Sequence, residues 1–271
     1  MKSKSSKQQV IAFAIIGFLF ALFSCKKDGG YNHSKPPSGS DASVMAVAGD
    51  SATVLVAINQ FRHLLGDSLN TVPGKTTGRR EVNWDGVPAA LTNANNFPVD
   101  FFNSTLAADP PGRKRGLNLT NTGIGFRVDT TDFSDIDASY SAQFQVFSRR
   151  RLFANIGNNV TGVTFKIPGT TTDAFVKGFG VIFSDVDDAS STYAEFFSGS
   201  TSLGIFKAAS LPGNSNYSFL GVSFKTAKIT SIKITSGNGL LEAGSKDVSD
   251  GGSKDLVVMD DFFYDEPNVL P

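Results

Sequence analysis

The chain reads Ile-Thr-Ser-Ile-Lys-Ile-Thr-Ser at residues 229–236 and Leu-Val-Val-Met-Asp-Asp-Phe-Phe-Tyr at residues 256–264, and these two stretches decide the fold class. In the first, Ile232 and Ile234 alternate with Lys233, which predicts a strand with one face toward solvent. The second is apolar on both faces, as is typical of a strand in the middle of a sandwich. Both stretches therefore predict β structure.

The second stretch contains two adjacent carboxylates, Asp260 and Asp261. Because neighbouring strand residues point to opposite faces, at least one should face the interior, where it needs a cation or backbone donors. We expect the first and last strands to pair, which would bring Asp85 and Glu81 near them. Calcium takes six to eight oxygen ligands, so these four carboxylates predict a structural calcium site. The alternative is that one Asp caps a loop through backbone N–H groups and the other faces water.

A second acidic cluster reads Asp185-Val186-Asp187-Asp188. It does not match an EF-hand loop, because a loop that began at Asp185 would end on Phe196 rather than on a glutamate. We interpret the cluster as a turn with solvated carboxylates rather than a metal site. Asp185 and Asp187 would then be available to a bound ligand.

The N-terminus has the pattern of a lipoprotein signal peptide. Three lysines precede an apolar run of 14 residues at 10–23, which is shorter than the ~20 residues that a spanning helix needs. The run stops at Leu22-Phe23-Ser24-Cys25, which resembles a bacterial lipobox. We predict a signal peptide over 1–24 and a lipid anchor on Cys25, which would place the protein in the cell envelope, at the outer membrane or cell surface. The alternatives are an ordinary signal peptide and a short anchor helix.

Charge and composition exclude some kinds of partner. The chain carries 25 basic and 25 acidic residues, and removal of the three lysines of the signal peptide leaves 22 and 25, a formal charge of −3. Such a protein has no electrostatic attraction to nucleic acid. Cys25 is the only cysteine, so the core or a metal, and not a disulfide, must hold the fold. With 27 Gly, and 21 Asp against four Glu, the composition favours turns and strands over helices.

The N-terminal third of the chain contains one predicted helix. Residues 25–49 are rich in Gly, Ser, Pro and Lys, which predicts a flexible tether. Within residues 50–77 the apolar side chains follow helical spacing, which predicts an amphipathic helix followed by a loop. Asp50 or Ser51 is the expected N-cap, and Gly66 ends the pattern.

From residue 78 to residue 267 the chain alternates between short apolar segments and turns. Roughly eight to ten strands at near-regular spacing predict an all-β domain, a single jelly-roll or concanavalin-like β-sandwich preceded by the one helix. The loop before the last strand contains Gly-Ser-Lys-Asp twice, at 244–247 and 252–255. We interpret this as a short duplication in a tolerant surface loop.

Six motifs in residues 50–267 resemble a family of secreted bacterial β-sandwich proteins, many of which end in a PEP-CTERM sorting tail. They read Gly-Arg-Arg-Glu-Val-Asn-Trp-Asp-Gly-Val-Pro (78–88), Gly-Phe-Gly-Val-Ile-Phe-Ser-Asp-Val-Asp (178–187), Ser-Leu-Gly (202–204), Ser-Phe-Leu-Gly-Val-Ser-Phe (218–224), Ile-Lys-Ile-Thr-Ser-Gly-Asn (232–238) and Val-Met-Asp-Asp-Phe (258–262). The resemblance implies an extracellular jelly roll, with an Asp-Asp pair similar to the end of calcium-stabilised jelly rolls, but no established activity. The chain ends at Pro271 without a sorting tail, so we expect the lipid on Cys25 to serve as the anchor.

Aromatic residues are the candidates for sugar binding, because exposed rings stack on sugars in carbohydrate modules. Trp84 is the only tryptophan, and Tyr193, Tyr217 and Tyr264 are further candidates. Most aromatic residues of a sandwich lie in the core, so the competing expectation is that Trp84 packs against phenylalanines.

The sequence contains no recognisable catalytic set. His33 falls in the tether and His63 in the helix, so no Ser-His-Asp set is assembled in the sandwich. We expect a non-catalytic, monomeric surface or secreted lipoprotein that binds an extracellular glycan or envelope component and is stiffened by calcium. The alternatives are a glycoside hydrolase or lyase on the same fold, with a pair such as Glu195 and an Asp as its carboxylates, and a structural or adhesive envelope protein.

Overall fold

The computed structural model describes residues 41–120 and 122–270, so the predicted signal peptide, Cys25, His33 and the first part of the predicted tether lie outside the described residues. Helices form at α1 (Ser51–Leu65) and α2 (Tyr140–Gln143), and single 3-10 turns form at Ala89–Leu91 and Pro111–Arg113. The strands are β1 (Ala42–Gly49), β2 (Arg79–Val82), β3 (Leu117–Thr120), β4 (Gly125–Asp129), β5 (Leu152–Ile156), β6 (Val160–Phe165), β7 (Ala174–Phe175), β8 (Gly178–Ser184), β9 (Tyr193–Ser198), β10 (Thr201–Lys207), β11 (Tyr217–Phe224), β12 (Ser231–Thr235), β13 (Val258–Asp265) and β14 (Asn268–Val269).

Two antiparallel sheets pack face to face. The seven-stranded sheet has the order β1-β11-β8-β13-β5-β4, with β2 also paired to β13, and the five-stranded sheet has the order β10-β9-β12-β6-β3. Their inner faces share one hydrophobic core, to which Val181 and Phe262 contribute from one sheet and Val163 and Ile232 from the other. The predicted all-β sandwich is therefore confirmed, while a jelly-roll topology stays a prediction.

The seven-stranded sheet is covered on its outer face as well. Helix α1 packs Val54, Ile58 and Phe61 there, and a separate cluster forms around Phe133 and Tyr140. Every residue of β8 is buried, and so is every residue of β13 except its last. The two-sided apolar character of β13 follows from this position between two layers.

On the five-stranded sheet the strands alternate between buried and more exposed residues. In β12, Ile232 and Ile234 are buried while Lys233 is exposed. Strands β6 and β9 alternate in the same way. The outer face of this sheet therefore meets solvent.

Helix α1 follows the sequence prediction closely. The Asp50 carboxylate accepts the N–H of Thr53 at 2.8 Å, and the Gly66 N–H donates to the carbonyl of Arg62 at 3.0 Å. These contacts satisfy backbone groups that a helix end leaves without intrahelical partners. In the described part of the chain, no helix has both the length and the apolar character that a membrane span requires.

The predicted flexible tether is wrong at its C-terminal end. Residues Ala42–Gly49 form β1, which pairs along its whole length with β11. Val44 lies opposite Val222, and Ala46 lies opposite Leu220, so these small apolar residues extend the buried surface of the sheet. The sandwich thus begins before α1 rather than after it.

Candidate metal centre

The ends of two neighbouring strands position a cluster of aspartates. Strand β8 ends at Ser184, directly opposite Val258 at the start of β13. Asp185 therefore leaves the sheet where the connection that leads into β13 arrives. That connection contains Asp247 and Asp255, the last residues of the two Gly-Ser-Lys-Asp copies.

Three of these side chains come close enough together for one ion to contact all of them. One carboxylate oxygen from each of Asp185, Asp187 and Asp247 lies within 4.8 Å of the others. Among the residues described, no other set of three or more His, Cys, Asp or Glu side chains meets this condition. The exposed fractions of the three residues are 0%, 8% and 0%, so the cluster lies in the interior.

The carboxylate of Asp185 lacks hydrogen bonds. Neither of its oxygens has a donor within hydrogen-bond distance, and the same holds for Oδ2 of Asp187. The Gln143 side chain lies near enough to favour the charged form of Asp185, but its amide donates to the Leu256 carbonyl at 3.3 Å. Asp187 Oδ1 accepts the N–H of Gly213 at 2.7 Å. A buried carboxylate without donors is costly, and native structures rarely leave one uncompensated. The unpartnered oxygens therefore point to a cation.

Asp247 is held in place by its own loop. Its Oδ1 accepts the N–H of Leu256 at 2.7 Å, and its Oδ2 accepts the N–H and the hydroxyl of Ser249 at 2.7 and 2.6 Å. A carboxylate has about four acceptor sites, so these bonds leave lone pairs for an ion. The loop thus fixes the direction of this carboxylate.

Asp255 lies beside the cluster and forms hydrogen bonds to the turn that carries Asp187. Its carboxylate accepts the N–H of Asp187 at 3.2 Å, the N–H of Asp188 at 3.1 Å and the hydroxyl of Ser191. These bonds connect the β8–β9 turn to the β12–β13 loop. Asp255 therefore positions the backbone of Asp187.

The cluster has no basic counterpart within reach. Among the described ion pairs, none places a Lys, Arg or His nitrogen within 4.0 Å of these carboxylates. Burial raises the pKa of Asp185 to about 8, although the Gln143 side chain opposes the rise, and the charges of Asp247, Asp187 and Asp255 add to it. Burial and the neighbouring carboxylate of Asp247 raise the pKa of Asp187 to about 6. Without a metal, Asp185 and Asp187 therefore bind protons more tightly than ordinary aspartates do.

The donor set defines the kind of ion. It consists of carboxylate oxygens and contains no sulfur or imidazole. Oxygen ligands suit hard cations such as calcium, magnesium and manganese, whereas zinc sites in proteins commonly include Cys or His. The cluster can hold a hard divalent cation.

Asp185 and Asp187 were predicted to be solvated. This is wrong, because the β8–β9 turn packs against the β12–β13 loop. Of the three aspartates at 185, 187 and 188, only Asp188 is exposed. The interpretation of the Gly-Ser-Lys-Asp duplication as a tolerant surface loop is wrong for its aspartates, since Asp247 and Asp255 are buried. The sequence signal for them was the repetition itself, which places an Asp at the same point of each copy.

The metal site predicted at Asp260 and Asp261 does not assemble. Asp260 Oδ2 accepts the N–H groups of Phe147 and Ser148 at 2.6 and 3.1 Å, and Asp261 Oδ1 accepts the Ser148 hydroxyl at 2.7 Å. Burial, then the charge of Asp261, raises the pKa of Asp260 well above its usual range. Burial raises the pKa of Asp261 to about 6.

A β-bulge lies at the two aspartates. The pairing of β13 with β8 shifts register between Met259 and Phe262, which places an extra residue in β13. Asp260 and Asp261 are both buried, because β13 is covered on both faces. Backbone donors satisfy Asp260, as in the alternative that the sequence left open, but Asp261 does not face water.

The two expected partners of this pair lie near enough for their charges to help raise the pKa of Asp261, but each has contacts of its own. The predicted pairing of the first and last strands is partly right, because β2 lies beside β13 with Glu81 opposite Phe263. Glu81 forms ion pairs with Arg62 and Arg79, each at 2.8 Å, and Asp85 accepts the N–H of Arg150 at 3.1 Å. Glu81 therefore has cationic partners without a metal.

The predicted sugar-binding aromatics are mostly buried. Trp84 stacks on Phe153 with ring centroids 4.0 Å apart, and its indole N–H donates to the Asp260 carbonyl at 2.7 Å. Tyr217 is buried and donates its hydroxyl to the Val146 carbonyl at 2.7 Å. The assignment of Trp84 and Tyr217 to ligand binding is therefore wrong, because both rings belong to packed clusters. Tyr264 is buried too, and only Tyr193 keeps a partly exposed ring.

Comparisons of the chain with protein-family models, curated proteins and solved structures found no match. The resemblance to secreted β-sandwich proteins accordingly remains a prediction.

Proposed function

We propose that this protein is a non-catalytic β-sandwich of the cell envelope that binds calcium between the β8–β9 and β12–β13 connections. The unpartnered, fully buried carboxylate of Asp185 carries the proposal, because one ion beside Asp187 and Asp247 would compensate its charge. Calcium fits better than magnesium, since calcium accepts irregular sets of six to eight oxygens while magnesium demands near-ideal octahedral geometry. The envelope location rests on the signal-peptide and lipobox patterns.

Calorimetric titration of the metal-stripped protein tests this proposal. Calcium should bind with one site per chain and more tightly than magnesium, and the variant Asp185→Asn should lose binding. The matched control is Asp250→Asn, which removes an exposed carboxylate from the same loop as Asp247. Absence of calcium binding, or equal loss in both variants, would reject the site.

Glycan binding is the second candidate function, and the open face of the five-stranded sheet favours it. Tyr193, Glu195 and Phe197 share this face of β9, and all three are partly exposed. The Cα atoms of Tyr193 and Phe197 lie about 13 Å apart along the strand, from a rise of about 3.3 Å per residue. Lys233 lies over Phe197 at 5.3 Å, and Ser202 donates to Glu195 at 2.8 Å. The face thus combines rings with polar groups, as sugar recognition requires.

An array of neutral polysaccharides, read with the intact protein in calcium and in EDTA, tests this candidate. Binding should weaken in Tyr193→Ala and persist in Leu106→Ala, which truncates an exposed side chain outside this face. Binding that Tyr193→Ala leaves unchanged would move the ligand elsewhere. Release of shortened products would instead favour the glycoside hydrolase or lyase, and a lack of binding by a folded sample would favour the structural envelope protein.

A further inference from the structure

A groove lies at the end of the seven-stranded sheet opposite the candidate metal centre. Two depressions of about 510 and about 540 Å³ adjoin there and share Thr76, Lys177 and Asn268 in their walls. β8 begins at this end of the sheet, and β11 and β13 end there. The shared walls make one elongated groove rather than two separate cavities.

Three lysines line this groove. Lys177 belongs to both depressions, Lys225 to the first and Lys228 to the second. In the part of the chain that the structure describes, the ion pairs include none of them. The Lys228 ammonium lies 4.9 Å from the centroid of the Phe175 ring, which fixes its direction without neutralising it.

Two acidic residues lie in the groove wall, and they offset its lysines only in part. Glu266 is buried and forms an ion pair with Arg80 at 2.7 Å. Asp265 accepts the N–H groups of Lys177 and Gly178 at 2.8 and 2.9 Å, and burial raises its pKa to about 6, so at neutral pH its charge offsets one of the three lysines. The lysine ammonium groups therefore give the groove a positive charge on a chain whose formal charge is zero.

We infer that this groove binds a segment of an acidic polysaccharide, a chain of sugars that carry carboxylate or sulfate groups. The lysines are distributed along two adjoining depressions, which matches charges repeated along a polymer better than one small anion. Ser43, Thr76 and Asn268 add hydrogen-bonding groups for sugar hydroxyls. Aromatic lining is limited to Phe175 and Phe224, both largely buried, so the stacking surface that single-stranded nucleic acids use is lacking there. This site is separate from the open face of the five-stranded sheet.

Affinity electrophoresis of the intact protein tests the inference with three probes: polygalacturonate, dextran sulfate and neutral dextran. The first two should retard the protein at low salt and lose that effect as salt rises, because exposed charges are screened. Neutral dextran carries no charge, so it should not retard the protein through this groove. The difference between the two acidic probes distinguishes carboxylated from sulfated ligands.

Charge reversal locates the binding surface. Lys177→Glu should weaken binding of the acidic probe by about tenfold or more. Lys207→Glu makes the same charge change at an exposed position of β10 and should have a much smaller effect. Lys225→Gln provides a second test if Lys177→Glu does not fold. Equal effects of Lys177→Glu and Lys207→Glu, or no retardation by either acidic probe, would overturn the inference.

The sheet-face variant separates this inference from the glycan-binding proposal. Tyr193→Ala should leave retardation by the acidic probes unchanged, because Tyr193 does not line the groove. If Tyr193→Ala abolishes it, the acidic polysaccharide binds the open sheet and the groove assignment is wrong. If Tyr193→Ala loses only its binding to neutral glycans, the assignment of the groove to acidic polysaccharide stands.

Discussion

At Asp185, the free energy of unfolding should depend on whether the buried carboxylate binds a proton or the proposed calcium ion. In the metal-free protein at neutral pH, Asp185→Asn should raise the free energy of unfolding by about 1–3 kcal/mol, because an amide need not take up a proton on folding. At about one hundred times the dissociation constant of calcium, the parent should gain about 2.7 kcal/mol and the variant nothing. Urea denaturation in EDTA and in calcium measures both effects. A variant less stable than the parent in both buffers would contradict this account.

The same carboxylates predict an unusual dependence of stability on pH. The folded, metal-free protein keeps Asp185 protonated up to a pKa of about 8, whereas the unfolded chain ionises it near its ordinary pKa of 3.8. Between these values the folded state holds the additional proton, so stability should fall as pH rises from about 4 to about 8. Asp187 and Asp261, with pKa values raised to about 6, act in the same direction up to that pH.

Denaturation midpoints measured in EDTA at several pH values between about 4 and about 8 check this dependence. In saturating calcium the aspartates of the cluster stay ionised in the folded state, so the decline should become shallower. A midpoint in EDTA that rises steadily with pH would contradict this prediction. It would show that something other than a bound proton compensates the charge of the buried carboxylates.

At this scale the sequence indicates which residues are acidic but not which of them lack donors. The Asp260-Asp261 pair stands out because it interrupts an apolar strand, yet backbone N–H groups from Phe147 and Ser148 satisfy Asp260. Asp185 looks like an ordinary turn residue, and its burial depends on a loop more than fifty positions further along the chain. The environment of a carboxylate is a long-range property, so local patterns favoured the wrong pair.

Among the secondary-structure elements, helix α1 depends on two glycines that lie opposite each other on β8 and β11. A Cβ on Gly180 would lie 2.9 Å from the Phe61 ring, and one on Gly221 would lie 2.8 Å from it. Gly180→Ala should therefore lower the free energy of unfolding by about 1–3 kcal/mol through overpacking. Gly86→Ala is the control, because a Cβ there meets no atom within 4 Å. Denaturant titration of both variants measures the difference, and equal effects would show that the helix adjusts freely.

The elements themselves were predictable to different degrees. Helix α1 carries its own signals, since Asp50, Gly66 and the spacing between them are local. Strand β1 carries weak signals, because Ala and Gly are small and the strand forms by pairing with β11, which lies far along the chain. Long-range pairing of this kind has no local sequence pattern, and the segment was consequently assigned to the tether.

For the whole molecule, the proposed calcium ion would join two loops, and one end of the sandwich would then depend on it. Removal of calcium should therefore loosen the loop that carries the exposed Lys246 and Lys254, because no ion then joins that loop to the β8–β9 turn. Trypsin should cleave after these lysines faster in EDTA than in calcium. Cleavage after Lys177 and Lys225, at the opposite end, should not change. Uniform acceleration at all four lysines would mean that calcium stabilises the sandwich globally.

The large-scale architecture was the most predictable part, since the alternating and two-sided apolar strands specify a layered β fold. The patterns did not show that α1 and the Phe133–Tyr140 cluster would cover the seven-stranded sheet and leave the five-stranded sheet open. That asymmetry arises from how the layers pack, and it determines which surface can face a ligand.

The packing of Trp84 gives the protein an internal optical reporter. As the only tryptophan, fully buried and stacked on Phe153, it should emit at short wavelength and be shielded from acrylamide quenching in the folded state. Unfolding would expose the indole and shift its emission to the red. Denaturation of the parent chain, and of every variant that keeps this tryptophan, can therefore be followed by intrinsic fluorescence without a label.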